Sequence, residues 1–236
     1  AFTDYHDLLA LDDIEAVNVC TPPSSHVSIT CDAASASKHV LCEKPMAMNA
    51  YEAERMVKAC NESGVKLGIC SARSRFEPSV VTAKQYIDDG KPGKVYYARF
   101  SLFRRRGRPG IDILVDSKWF LDSLKAGGGA LIDIGCYDID VLLYLLGSPQ
   151  PVSVSAMTFR GIGDHMPLNV PFDVEEHSSV FVRFEGGATA MFETAWASNM
   201  QSGEDVMILG TEGGLKLNPF TYYAKMEGRH VAVSMD

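Results

Sequence analysis

No apolar run in this chain reaches the roughly 18 residues needed to span a bilayer, so the sequence offers no membrane helix. The opening AFTDYHDLLALDD has neither the basic nor the apolar stretch of a signal peptide. Basic residues are scarce: 22 Lys and Arg stand against 30 Asp and Glu, and the formal net charge is -8. That balance argues against nonspecific binding to nucleic acid or an anionic membrane. The one dense basic stretch, Arg104-Arg105-Arg106 with Arg108, reads as a solvated loop in preference to an anion site. The six cysteines (Cys20, Cys31, Cys42, Cys60, Cys70 and Cys136) form no C-x-x-C pair, and several fall in apolar runs. Their placement points to buried free thiols in a reducing, cytoplasmic setting, and away from a disulfide framework or a zinc site. Internal repeats and low-complexity segments are absent too.

What is present is an alternation of strand and helix in the first part. IEAVNVC (14–20), HVLC (39–42) and VKLGIC (65–70) read as short buried strands. Between them, 26–38 and 49–64 read as helices. The second is amphipathic, with Ala50, Ala53, Met56, Val57 and Cys60 on one side, Asn49 as its N-cap and Gly64 as its stop. Short strands separated by helices of this length make a parallel sheet with crossover helices. A doubly wound dinucleotide domain normally opens with strand, G-x-G-x-x-G and helix. That motif is missing, and the expectation is that the chain starts inside such a domain, after its first one or two βα units.

After residue 71 the pattern changes. A helix is expected over 77–90 and a half-exposed strand over 94–103. From 151 onward PVSVSAMTF, SSVFVRFE, ATAMFETAW, EDVMILG and GGLKL read as strands, several separated by glycine turns. The reading is two domains: 1–71, the C-terminal part of a dinucleotide-binding α/β domain, and 72–236, an α+β domain with a large, mainly antiparallel open sheet.

In a parallel sheet the loops after the strands share one edge, where ligands bind. Three loops qualify: Thr21-Pro22-Pro23-Ser24-Ser25-His26, Glu43-Lys44-Pro45 and Ser71-Ala72-Arg73-Ser74-Arg75-Phe76. Each alone has a plain structural reading. The prolines stiffen a loop, His26 sits in a first helical turn, and Glu43-Lys44 is an exposed ion pair worth little. Their convergence on one edge favours a site.

These residues carry a resemblance. T-P-x-x-x-H followed by K-H-V-L-C-E-K-P is similar to the glucose–fructose oxidoreductase/inositol dehydrogenase/rhizopine catabolism (Gfo/Idh/MocA) family. R-F-E-P at 75–78, Trp119-Phe120 and F-E-G-G-A at 184–188 extend it over nearly the whole chain. It implies a Rossmann-like parallel sheet, NAD or NADP as cofactor, and a small sugar, polyol or dihydrodiol substrate. It implies cofactor contacts from Thr21, Pro22, Pro23, His26, Glu43, Arg75 and Trp119. It puts Lys44 between nicotinamide and substrate, with a catalytic role. It also implies pairing through the open sheet face, as a homodimer or homotetramer. The choice between NAD and NADP stays open.

GGGALIDIGCYDIDVLLYLLG (127–147) reads as three glycines opening a helix apolar nearly all round, hence buried. Asp133, Tyr137, Asp140 and Tyr144 form one polar stripe on it. The plain reading, hydrogen bonding that holds the domain together, suits Asp140 and Tyr144. The segment resembles the family pattern G-G-G-x-L-x-D-x-G-x-H-x-x-D, and the resemblance makes Asp133 and Tyr137 site residues. Tyr137 stands where most of the family has His, as in the glucose–fructose oxidoreductase and dihydrodiol dehydrogenase branches. A phenol near pKa 10 is a poor base at neutral pH, and a nearby ammonium lowers it. Lys44 is expected to do so, with Asp133 orienting the substrate hydroxyl or anchoring Lys44. Two rival readings remain: the family's NAD-dependent glycosidase branch, and a non-catalytic ligand-binding regulator. The presence of Lys44, Asp133 and Tyr137 argues against the second.

Overall fold

The computed structural model of the chain describes residues 1–162 and 169–234. Its first part runs α1 (Tyr5–Leu9), β1 (Ala16–Val19), α2 (His26–Ser35), β2 (His39–Cys42), α3 (Ala50–Glu62) and β3 (Leu67–Ile69). The strands pair in the order β1-β2-β3, all parallel, with Val19 opposite Cys42 and Cys42 opposite Ile69. Leu9, Val19, Val27, Ala33, Val40, Cys42 and Met56 pack into one apolar cluster between sheet and helices. The Asn49 carboxamide accepts from the Glu52 amide at 3.0 Å and caps α3. Gly64, at φ +68°, lets the chain turn back after it. Met56 and Cys60 face inward as the periodicity requires, but Val57 is 46% exposed. Of the cysteines expected to be buried, Cys42 and Cys60 are; Cys20 is exposed, and all six are free thiols.

The chain past β3 does not enter an open loop. Cys70–Phe76 winds as 3-10 turns and feeds α4 (Pro78–Asp88), with Pro78 in its first turn. Then come β4 (Val95–Phe103), α5 (Ser123–Ala126), α6 (Cys136–Leu146), β5 (Pro151–Phe159), β6 (His177–Phe184), β7 (Thr189–Ala195), β8 (Gly203–Gly210), β9 (Gly213–Lys216), β10 (Thr221–Met226) and β11 (Arg229–Ser234). They form one sheet in the order β11-β10-β9-β8-β4-β7-β6-β5. β4 and β7 run parallel; the other neighbours are antiparallel. Val80 and Ala83 of α4 and Val141, Leu142 and Leu145 of α6 pack with Phe100, Phe192 and Ile208 of the sheet. β5 is exposed along its whole length, and Val152, Val154, Met157 and Phe159 are each at least half exposed.

Two expectations need correction. The stretch 127–147 is not a single helix. Gly127 takes φ +83° to end α5, Leu131–Gly135 forms a wide π-helical turn, and α6 begins only at Cys136. The run of glycines weakens a regular helical start. Arg108 is not in a solvated loop. It is 5% exposed, and its guanidinium donates to both carboxylate oxygens of Asp112 at 2.8 and 3.0 Å. It also reaches Glu176 at 3.4 Å.

Candidate active site

The loops after β1 and β2 are pinned to each other by His26. The ring is fully buried, and its nitrogens lie 2.8 Å from the Thr21 carbonyl and 3.0 Å from the Pro45 carbonyl. His26 is thereby placed as a strut beneath the site. With the loops fixed, Lys44 leaves the parallel sheet and reaches the second layer. Its Nζ donates to Asp133 Oδ1 at 2.5 Å and to the Asp133 carbonyl oxygen at 2.8 Å. The two side chains are 17% and 12% exposed, so this is not the exposed Glu43–Lys44 pair considered from the sequence.

The wide turn at Leu131–Gly135 positions Asp133 for this contact. Glu175 holds the turn: its carboxylate accepts from the Gly129 amide at 2.8 Å and the Leu131 amide at 3.0 Å. Gly129 is required there, because a Cβ would collide with the Glu175 carbonyl oxygen. The other oxygen of Asp133 accepts from the indole Nε1 of Trp196 at 2.9 Å, and Trp196 is fully buried. Asp133 is thus aimed from both sides.

Tyr137 lies one turn on. Its ring centroid is 5.3 Å from Lys44 Nζ and 4.8 Å from the Arg73 guanidinium carbon. Its phenol is not lowered as the sequence led one to expect. Burial dominates and pushes it up to about 12, with Arg73 opposing and Cys136, Glu43 and Asp133 adding to the rise. Lys44, bound to Asp133, is not among the groups that shift it. The polar stripe therefore splits. Asp133 and Tyr137 meet Lys44 and Arg73, whereas Asp140 is paired with Arg75 through two 2.7 Å bonds and Tyr144 packs under Arg75 and Lys84. Arg75 is occupied in holding α6 to the Cys70–Phe76 turns.

On its other side Tyr137 borders a small cavity of about 50 Å³ that Asp138, Glu77 and Glu204 also line. Burial, then Glu204 and Glu77, raise the Asp138 carboxyl to about 7. A carboxyl raised on folding contributes stability that is present below its unfolded pKa and lost as pH rises through the folded value. The loss here falls between about pH 4 and about pH 7. Asp138→Asn is accordingly expected to raise the melting temperature at about pH 8 and to change it little near pH 4. Thermal melts at both values check this; an equal shift at both would show that ionisation of Asp138 is not involved.

Thr21, Pro23, Glu43, Lys44, Trp119 and Asp133 converge on a cavity of about 190 Å³ between the two layers. Trp119 stacks on Phe120 with centroids 3.8 Å apart and helps wall it. Pro22, His26, Arg75 and Tyr137 are not in its lining. A pocket joining loops at the end of a parallel sheet to an acid–base pair suits a nicotinamide-type cofactor end facing a small polar substrate.

Residues 1–70 match the family described as an oxidoreductase family with an NAD-binding Rossmann fold, and residues 80–216 match the GFO/IDH/MocA C-terminal domain. The chain belongs to the Gfo/Idh/MocA oxidoreductase family. It is 32% identical to D-xylose 1-dehydrogenase [NADP(+)] of Haloarcula marismortui over 94% of this chain and 58% of that protein. It is 30% identical to D-glucoside 3-dehydrogenase of Escherichia coli, over 91% of this chain and 62% of that protein. Levoglucosan dehydrogenase, solved in complex with NADH and L-sorbose, superposes with a TM-score of 0.86 at 26% identity, covering 99% of this chain and 63% of that one. The chain thus spans about three fifths of the length of these relatives.

Three residues of this Gfo/Idh/MocA site escaped the sequence reading. A buried tryptophan needs an acceptor for its indole N–H, and Trp196, at the end of E-T-A-W, finds it in Asp133. Glu175 had only the weak signal of two adjacent acids, Glu175-Glu176. Arg73 was legible as a member of the third loop but had no motif to distinguish it from Arg75.

Proposed function

We propose that this chain forms the reacting end of an NAD(P)-dependent oxidoreductase acting on a CH–OH group of a sugar, polyol or dihydrodiol. The observation that carries this reading is the Lys44–Asp133 contact, which closes the cofactor-side loops onto the second layer beside a shared cavity. The cavity is smaller than the roughly 300 Å³ at the low end of whole-ligand pockets, and its donors suit the nicotinamide end of a dinucleotide. Thr21, Pro23, Glu43 and Trp119 would hold that end, and the oxidised nicotinamide supplies hydride acceptance when bound. Lys44 and Asp133 orient the substrate hydroxyl, and Tyr137 accepts its proton. The names of the relatives, dehydrogenases of D-xylose and of D-glucosides, support a sugar substrate.

The protein pairs through its large sheet, as a homodimer or homotetramer. The exposed β5, with Val152, Val154, Met157 and Phe159 uncovered, supports this. Its six free thiols suit the cytoplasm. The test of the activity is net formation of reduced nicotinamide on a panel of aldoses, inositols and dihydrodiols with each of NAD and NADP. Turnover on at least one is expected. Cofactor binding without turnover on any would remove the dehydrogenase reading.

A further inference from the structure

Tyr137 stands between two cations, and they are not equivalent. Lys44 is spoken for: its Nζ donates to both the carboxylate and the carbonyl oxygen of Asp133, so its charge is met there. Arg73 places its guanidinium carbon over the same ring, 4.8 Å from its centroid, and, among the described residues, has no carboxylate or carbonyl partner. Its neighbour Arg75 shows the alternative, a guanidinium fully engaged by Asp140. Arg73 therefore brings the uncompensated positive charge to Tyr137.

We propose that Arg73 is the positioning residue for Tyr137, holding the ring by its planar face and biasing the phenol toward giving up its proton. This rests on the proton-accepting role given to Tyr137 above. A guanidinium suits the task because it is planar, stays charged at every relevant pH and stacks on aromatic faces. The other groups facing the phenol are acids or the compensated pair. On its own helical segment these are Asp133, Cys136 and Asp138; from the loop after β2, Glu43 and Lys44; from the start of α4, Glu77; and from β8, Glu204. Of the acids, Cys136, Glu43 and Asp133 oppose loss of the phenol proton. Arg73 alone among these neighbours, without a countercharge, favours it, consistent with the direction of its effect on the phenol.

The test titrates Tyr137 itself. The chain is made with 3-fluorotyrosine, whose phenol ionises at lower pH than tyrosine. The fluorine resonance of position 137 is assigned by its disappearance in Tyr137→Phe. Arg73→Met is expected to raise the titration midpoint by about half a pH unit or more, and Arg73→Lys to recover most of that shift. The double variant Lys44→Met/Asp133→Asn, which removes a compensated pair, is expected to leave the midpoint nearly in place. An unmoved midpoint in Arg73→Met overturns the proposal. So does a shift in the double variant as large as that in Arg73→Met. The midpoint is read without turnover, so its failure is distinguishable from failure of the dehydrogenase assay.

Discussion

Lys44→Met is expected to abolish turnover while leaving cofactor affinity within about tenfold, or about 1.4 kcal/mol. Methionine keeps the length and the apolar stem of lysine, so the wall of the cavity survives. What is lost is the ammonium, with its two contacts to Asp133 at 2.5 and 2.8 Å. Asp133 then keeps one side-chain donor, the Trp196 indole, and its carboxylate swings free of the geometry needed to hold a hydroxyl. Leaving one member of a buried pair unpartnered costs up to about 3–5 kcal/mol. At 17% and 12% side-chain exposure, water offsets part of that. Thermal melts alongside cofactor titration and steady-state rates separate the two consequences. A modest fall in melting temperature with no turnover places Lys44 in the chemistry. Full activity with the same fall would reduce it to a strut between layers.

This contact also shows what the sequence could and could not disclose. The parallel sheet was legible because its strands are short, β-rich runs bounded by helix caps, and His39–Cys42 was read with its true bounds. The loop carrying Lys44 was legible because E-K-P follows the strand His39–Cys42 directly. The partner of Lys44 was narrowed to one stripe of a buried helix but not to its form. A wide turn at Leu131–Gly135 depends on Glu175, which lies over forty residues away in sequence and reaches back to the Gly129 and Leu131 amides. No local pattern encodes such a contact. The hairpin of β10 and β11 was missed for a local reason. Its turn is Glu227-Gly228, both at positive φ, where the usual signal is Asn-Gly or Asp-Gly. The direction in which the Tyr137 phenol shifts was misjudged for an energetic one. Proximity to an ammonium suggested a lowered phenol, but the ammonium is bound to Asp133 and burial prevails.

That last point fixes what the pH dependence should look like. With Tyr137 pushed up to about 12, the phenol holds its proton across neutral pH, and oxidation is expected to climb with pH without levelling off near neutrality. Tyr137→Phe removes the proposed proton acceptor while keeping the ring that Arg73 and Lys44 pack against. It should lose at least about a hundredfold in rate, the lower end of a general-base contribution. Tyr137→His puts in a base with an unperturbed pKa of about 6.5, so measurable activity should remain and the rising limb should move to lower pH. Asp133→Asn keeps an acceptor for the Trp196 indole but loses its charge. It should leave the limb near its place and weaken substrate use, because its proposed task is orientation. The deciding measurement is a pH–rate profile of the parent and the three variants with one saturating substrate. If Tyr137→Phe turns over like the parent, the proton leaves by Asp133 and Lys44, and the tyrosine serves only to fill the space beneath them. If Tyr137→His is active but its limb stays high, the limb belongs to another group. The near-neutral carboxyl of Asp138, one residue along α6, could not supply it, since it would titrate far below that limb.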